Sequence, residues 1–194
     1  YAFALFLNHD FEKSLAVAQK GLQKNARHAA FNRLVMYNNV DLKRYDEVEK
    51  AADAFFNASD NADYSCLDYR YHGALLSALK KYDQAIEEYG KALEKDESQV
   101  DLWREIADAY ELKNDYTQAI AAYKKYYDSL AQDKKTSENL FQLGRLYYGE
   151  GTSSDTLSVQ SADRMAALQA ADSVFALVAE QASDSYLGDM WRAR

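Results

Sequence analysis

The chain has 194 residues and a formal net charge of −8, which speaks against a nucleic-acid binder or a protein that docks on anionic lipid, since both need a basic face. Its 48% hydrophobic and 28% charged residues are typical of a folded globular chain. With no proline and only 7 glycines the sequence favours helices, and its single cysteine excludes an internal disulfide.

The first predicted element is the apolar run at residues 1–7. This run is far shorter than the ~20 residues that cross a bilayer, and it lacks the basic start and the cleavage site of a signal peptide. Because no initiator Met precedes the run and its pattern is helical, we interpret the chain as a processed or excised fragment.

An aromatic residue that follows a short polar step recurs along the chain, at Phe11, Tyr45, Tyr82 and Tyr116. The spacings between these residues are 34, 37 and 34. Small or aromatic residues follow each of them at offsets of three, seven and ten, which mark one face of a helix. The pattern predicts a helix after each polar step, with bounds of 82–95 and 116–129 in the two clearest cases.

A large residue followed four positions later by a small one recurs before three of the predicted helices. The pairs are Tyr69 and Gly73, Trp103 and Ala107, and Leu140 and Gly144. Small residues let two helix backbones approach closely, while the aromatic residues fill the space around them. Each repeat is therefore predicted to be a first helix, a short turn and a second helix.

These steps resemble the tetratricopeptide repeat, and the resemblance covers nearly the whole chain. It implies an all-α, right-handed solenoid of about five tandem helix pairs, truncated at both ends. The repeats of this single domain are predicted at 1–28 (partial), 29–62, 66–99, 100–133, 137–182 and 187–194 (the start of another). The proline that usually closes such a repeat is absent.

A segment rich in Ser, Thr and Gly at residues 150–162 enlarges the turn of the repeat at 137–182. Its composition predicts a loop with little structure. We favour a tolerated surface insertion, since long surface loops cost little, over a binding flap.

No catalytic or metal-binding constellation stands out in the sequence. The chain has three histidines with no metal-ligand spacing, and no cofactor is predicted. We interpret His72 as a satisfied core histidine, Cys66 as a buried and inert thiol, and the pair Glu87 and Glu88 as a solvated face. The chain is therefore predicted not to be an enzyme.

In tetratricopeptide arrays the first helices line a concave groove, so the resemblance implies a binding stripe on these helices. The predicted binding residues are Arg33, Tyr37, Arg70, Ala74, Ser77, Arg104, Asp108, Phe141, Arg145 and Tyr148. Arginines at equivalent places suit carboxylates, so the expected ligand is a peptide or protein segment with acidic groups and an apolar anchor.

The arginine row also has a structural interpretation. Arg104 and Asp108 form an i,i+4 pair that neutralises itself, and Arg70 is able to pair with an acidic side chain of the neighbouring repeat. Arg70 has the least acidic company on its own helix face, so we expect it to be the freest to bind. The known clamp for C-terminal carboxylates is not predicted, because Asp101 and Glu105 stand where that clamp needs basic residues.

The predicted function is a non-catalytic scaffold for protein interactions. Two alternatives stay open: a structural subunit that assembles, also with copies of itself, through the apolar solenoid ends, and a non-catalytic arm of a larger enzyme. Direct membrane insertion and nucleic acid are not expected. The abundance of Asn, Asp, Ser and Tyr leans toward an exported bacterial protein, but the compartment is left open.

Overall fold

The computed structural model describes residues 1–58, 63–153 and 161–181, and these residues form helices without any strand. The helices are α1 Ala2–Leu7, α2 Phe11–Leu22, α3 Ala29–Asp41, α4 Tyr45–Ala58, α5 Cys66–Ala78, α6 Tyr82–Lys95, α7 Asp101–Leu112, α8 Tyr116–Ser129, α9 Ser137–Thr152 and α10 Ser161–Gln181. The predicted all-α fold is confirmed, and α6 and α8 have the bounds that the repeat pattern predicts. The repeat start predicted at 187–194 lies outside the described residues.

The chain divides into two compact units, residues 1–98 (unit 1) and 99–194 (unit 2). Within unit 1, each helix from α1 to α6 packs against the next, and α5 also packs against α3. Within unit 2, α7 packs on α8, α8 on α9, and α9 on α10. Second helices thus pack against the first helices that precede them, as predicted.

The turns inside four of the repeats share one backbone device. His9, Lys43, Lys80 and Asn114 have φ of 59°, 57°, 61° and 64°, and each lies two residues before the aromatic residue of its second helix. The next residue reaches back across the turn, as when Lys81 N donates to Leu76 O at 2.8 Å. This left-handed cap ends the first helix without glycine or proline, so the polar step works as a stop signal.

The small residues of the first helices lie where the second helices approach most closely. A Cβ atom on Gly73 would stand 2.6 Å from Tyr89 Cε1, and one on Gly144 would stand 2.6 Å from Phe175 Cε1. Ala107, the third residue of this kind, is 1% exposed. The two contacts and the burial of Ala107 agree with the packing that the sequence pattern predicts.

The segment 150–162 is more ordered than predicted at both of its ends. The helix α9 continues to Thr152, and α10 begins at Ser161. Gly151 is buried against Leu168, and an Arg164 guanidinium nitrogen donates to Ser153 O at 2.7 Å, so packing extends both helices beyond the composition signal. The prediction of an unstructured loop was wrong at these two ends, and residues 154–160 lie outside the described part.

Candidate functional site

The structure places the ten predicted binding residues on first helices, as the repeat register requires. Unit 1 holds five of them: Arg33, Tyr37, Arg70, Ala74 and Ser77. Unit 2 holds the other five: Arg104, Asp108, Phe141, Arg145 and Tyr148. Their surroundings differ, and three of the unit 2 residues line one pocket.

Arg33 is bound to a buried carboxylate of the neighbouring repeat. Its Nε donates to Asp68 Oδ1 at 2.7 Å and its Nη2 donates to Oδ2 at 2.9 Å, while the Asp68 side chain is 0% exposed. Asp68 also closes a capping box with Ser65 at the start of α5. Burial disfavours the charged guanidinium, but the hydrogen bonds and the charge of Asp68 outweigh it and raise the pKa of Arg33.

Tyr37 belongs to the same buried network. Its hydroxyl donates to Asp68 Oδ1 at 2.8 Å, and its ring stacks on Tyr71 with 4.1 Å between centroids. Burial raises the pKa of Tyr37, and the charge of Asp68 adds to this rise. At 1% exposure Tyr37 lies in the core of unit 1, because the ring of Phe6 and helix α5 cover it. The interpretation of Tyr37 as a groove wall therefore has no support in its surroundings.

The other predicted residues of unit 1 lie on α5. Arg70, Ala74 and Ser77 are all half-buried. Burial raises the pKa of Tyr71, and the charge of Arg70 acts in the opposite direction, so Arg70 is electrostatically engaged within its own fold. The expectation that Arg70 is the freest arginine of the row stays a prediction.

A pocket of about 270 Å³ opens in unit 2 between α7 and α9, with Tyr123 of α8 in its lining. Its remaining lining residues are Arg104, Asp108, Glu111, Glu138, Asn139, Gln142, Arg145 and Leu146. Three of the predicted residues thus meet here. Phe141 instead packs on Phe175 of α10, with 5.8 Å between ring centroids, and neither Phe141 nor Tyr148 is in the lining.

One side of this pocket is closed by an ion pair between neighbouring first helices. Arg145 Nη2 donates to Glu111 Oε2 at 2.8 Å, and its Nη1 contacts the other oxygen of the same carboxylate. The hydrogen bonds to Glu111 raise the pKa of Arg145. Arg145 is therefore paired with a carboxylate of a neighbouring first helix, as Arg33 is.

Arg104 and Asp108 carry the charges of the pocket that are not tightly bound. Arg104 Nη2 lies 4.0 Å from Asp101 Oδ1, and the guanidinium of Arg104 lies over the ring of Tyr126. Among the residues that the structure describes, the side chain of Asp108 has no hydrogen-bond partner. Loss of hydration in the pocket raises the pKa of Asp108, and the charge of Arg104 lowers it, so the two residues interact without forming a hydrogen-bonded pair.

The sequence analysis did not predict the amide side chains that line this pocket. Asn139 closes a capping box with Thr136 at the start of α9, and Gln142 donates to Glu138 at 2.9 Å. Burial raises the pKa of Tyr123 to about 12, and a hydrogen bond with Asn139 acts in the opposite direction. The pattern Thr-x-x-Asn before an apolar helix was the available signal for this end of the pocket.

Three interpretations of single residues need correction. Glu88 is 8% exposed rather than solvated, because Lys91 and His72 hold its carboxylate at 2.7 and 2.9 Å. His72 is half-buried and stacks on Phe56 with 4.7 Å between centroids, so it is satisfied but not fully in the core. Cys66 is half-buried rather than buried.

Within the described ranges, no group of three or more His, Cys, Asp or Glu side chains is placed to hold a metal ion. Across those same residues, no helix combines the length and the apolar character that crossing a bilayer requires.

Comparison with known proteins gives one family and one fold. The family model of the TPR repeat matches residues 73–114. The chain is similar to the C-terminal part of a TPR repeat-containing protein from Cytophaga hutchinsonii, with a TM-score of 0.75 and 23% identity over 100% of this chain and 68% of that one. No curated protein sequence matches the chain.

Two further solved structures are similar to this chain. The first is YrrB, described as a TPR protein with an unusual peptide-binding site, with a TM-score of 0.73 and 14% identity over 100% of this chain and 89% of that one. The second is MamA, with a TM-score of 0.64 and 14% identity over 93% of this chain and 97% of that one. At such identities the likeness shows the fold alone.

The fold is therefore that of an all-α solenoid protein. The match at residues 73–114 identifies a tetratricopeptide repeat there, as the aromatic and small-residue steps of that stretch indicate. Proteins built from this repeat generally mediate interactions between proteins and are typically not catalysts.

Proposed function

We propose that this chain is a non-catalytic interaction module that holds an extended segment of a partner protein against α7 and α9. The observation that carries the proposal is the polar pocket of about 270 Å³ between these helices, in which Arg104 and Asp108 have no tight partner. A peptide backbone offers both donors and acceptors, and this pocket presents both a donor and an acceptor.

The two charges define the chemistry of the segment. Arg104 offers N–H donors to an acidic group or a carbonyl of the partner. Asp108, one helical turn further on, accepts from a backbone N–H or a basic side chain. Asp108 is exposed at the pocket and its side chain has no hydrogen-bond partner among the described residues, so a donor from the partner forms a charge-assisted hydrogen bond with it. The partner segment is thus of mixed charge.

The sequence pattern predicts an acidic partner for the full arginine row, and these contacts reduce the number of arginines that are available to bind it. Arg33 and Arg145 are occupied by Asp68 and Glu111, which leaves Arg104 in unit 2 as the candidate for an acidic group, while the prediction for Arg70 in unit 1 stays untested. Assembly through the chain ends is the alternative, and the exposure of Phe3 (51%) and Leu7 (59%) in α1 is the observation in its favour.

The test is a selection of displayed random 12-residue peptides on the full chain, followed by fluorescence-polarisation titration of the recovered peptides. We expect Arg104→Glu and Asp108→Lys each to weaken binding at least tenfold, about 1.4 kcal/mol, because an attraction becomes a repulsion. Lys124→Glu on the exposed surface of α8 is the matched charge-reversal control. Arg70→Glu tests the candidate in unit 1, and the sequence expectation there is a loss of about 2 kcal/mol or more.

The outcomes separate the candidates. Equal binding of the peptides to wild type, Arg104→Glu and Asp108→Lys would rule out the pocket. A loss in Arg70→Glu alone would move the site to α5. Failure to recover any peptide, together with a concentration-dependent dimer that Phe3→Ser abolishes, would favour assembly through α1.

A further inference from the structure

A second cavity, of about 330 Å³, lies in unit 1 between α4, α5 and α6. It is on the far side of α5 from the predicted binding stripe. At about 100° per residue, His72 and Leu76 lie roughly opposite Arg70, Ala74 and Ser77 around the helix axis. This cavity is therefore separate from the site proposed above, and an inference about it does not depend on that proposal.

The floor of the cavity is apolar and packed. Ala52, Leu75 and Leu76 line it and are 3%, 1% and 8% exposed. Leu79 extends this floor toward solvent, since it is half-buried. A floor of this kind suits an aliphatic chain, which gains free energy when it leaves water.

The walls of the cavity are acidic on two sides. Glu49 and Asp53 stand on α4, and Glu87 and Glu88 stand on α6 across the opening. The only lysine in the lining is Lys81, which pairs with Glu49 at 2.7 Å. Carboxylates therefore exceed fixed cations around this opening.

The four carboxylates differ in whether a basic side chain of the same unit already pairs with them. Glu88 is held by His72 and Lys91, and Glu87 pairs with Lys91 at 2.9 Å. Among the described residues Asp53 has neither a hydrogen-bond nor an ion-pair partner. The pair of Glu49 and Lys81 is 55% and 45% exposed, and such surface pairs stabilise proteins little, so Glu49 is available for exchange.

We infer that this cavity is a docking site for a lysine side chain of a partner protein. The aliphatic stem lies on Leu75, Leu76 and Leu79, and the ammonium group donates to Asp53 and Glu49. Asp53 and Glu49 lie one turn apart on α4, and two separate carboxylates suit the three donors of an ammonium, whereas the planar fork of arginine suits a single carboxylate. Apolar floor and acidic rim together distinguish lysine from an apolar or an acidic side chain.

The experiment is a titration of the ¹⁵N-labelled full chain, followed by ¹H–¹⁵N NMR. The main probe is the tripeptide Ac-Ala-Lys-Ala-NH₂, and the probe with norleucine in place of lysine keeps the stem without the charge. Ammonium chloride, matched in ionic strength, tests the charge without the stem. We expect the lysine peptide to shift the amide signals of 49–53, 75–79 and 84–88 saturably, with at least fivefold weaker binding of both other probes.

Variants locate the charge that is responsible. Asp53→Asn and Glu49→Gln are expected to weaken the lysine peptide at least threefold each, while the exposed Glu94→Gln on α6 is the matched control and leaves it unchanged. These are surface substitutions, so the NMR spectrum also verifies that the fold is retained. Equal binding of the lysine and norleucine peptides, equal binding of the ammonium ion, shifts elsewhere, or no saturable shift would each overturn the inference.

The result is distinguishable from the test of the proposed function. Asp53 and Glu49 lie in unit 1 and Arg104 and Asp108 lie in unit 2, so each pair of variants reports on one site. A lysine peptide that loses affinity in Asp108→Lys but not in Asp53→Asn would overturn the inference and favour the pocket between α7 and α9.

Discussion

The two units join neighbouring first helices by the same kind of contact, an arginine on a carboxylate, but burial gives the two contacts different roles. In unit 1 the side chains of Arg33 and Asp68 are 28% and 0% exposed, and Asp68 also binds Tyr37 and caps α5. In unit 2 the side chains of Arg145 and Glu111 are 38% and 20% exposed and border an open pocket. A pair of arginine and carboxylate between first helices thus supports the core in one unit and borders a candidate binding surface in the other.

The largest expected effect is the loss of the buried carboxylate. Asp68→Ala leaves Arg33 without its carboxylate, and the Tyr37 hydroxyl and the Ser65 backbone N–H without their acceptor, so we expect it to lower the free energy of unfolding by about 3–5 kcal/mol. Glu111→Ala breaks a partly exposed pair and is expected to cost about 1 kcal/mol. Urea denaturation followed by circular dichroism measures both, and equal losses would remove the distinction between the two pairs.

The close helix contacts are expected to respond alike in both units. Gly73→Ala in unit 1 and Ala107→Leu in unit 2 each add atoms where a first helix meets a second helix, at an expected cost of about 1–3 kcal/mol. In unit 1 the obstacle is Tyr89, which is 4% exposed and has no room to move. Thermal unfolding tests this, and an unchanged melting temperature in Ala107→Leu would show that the repeat register of unit 2 is wrong.

Gly90 provides the opposite case within α6. A Cβ atom at this position meets nothing within 4 Å, and the residue lies in the middle of the helix. Gly90→Ala is therefore expected to raise the free energy of unfolding by about 0.5–1 kcal/mol, since alanine loses less backbone entropy than glycine. A loss of stability in this variant, measured beside Gly73→Ala, would contradict the packing described for α6.

The sequence predicts the helices better than the site, for a physical reason. Helix faces and turns depend on neighbours a few residues apart, so the steps at Tyr82 and Tyr116 predict α6 and α8 with their observed bounds. The carboxylate that binds Arg33 lies 35 residues further along the chain, in the next repeat, and the repeat spacing does not indicate which acidic residue it belongs to. The Ser-x-x-Asp step at Ser65 was a signal for the cap but not for the arginine.

The sequence pattern also did not predict which single side chains are buried. Tyr37 shares its stripe position with the exposed Asp108, yet it is closed off by Phe6 and Tyr71. Similarly, Glu88 looks like a surface residue in a charged helix, and only the position of His72 across the helix pair explains its burial. Such differences arise from the atoms that cover a residue, which come from other helices.

The smallest expected effect concerns the pH dependence of the two units, which has opposite signs. In unit 1, burial alone would raise the pKa of Glu88, but hydrogen bonds from His72 and Lys91 outweigh it and lower this pKa from 4.5. The stabilisation from Glu88 is therefore present above pH 4.5 and is lost as the pH falls through the folded-state pKa. In unit 2, desolvation raises the pKa of Asp108 from 3.8, so the folded state loses stability as the pH rises from 3.8 through the raised pKa.

Asp108→Asn removes the loss of stability that the ionisation of Asp108 causes, because the amide does not ionise. We expect the variant to be more stable than wild type at pH 7, within about 0.5 kcal/mol because the side chain is exposed, and equal to it at pH 3. Melting temperatures at the two pH values measure the difference, and Asp128→Asn on the exposed surface of α8 controls for the change in net charge. If Asp108→Asn is instead less stable at pH 7 than at pH 3 relative to wild type, Asp108 stabilises unit 2 through Arg104. The pocket would then lack the uncompensated carboxylate that the proposed function needs.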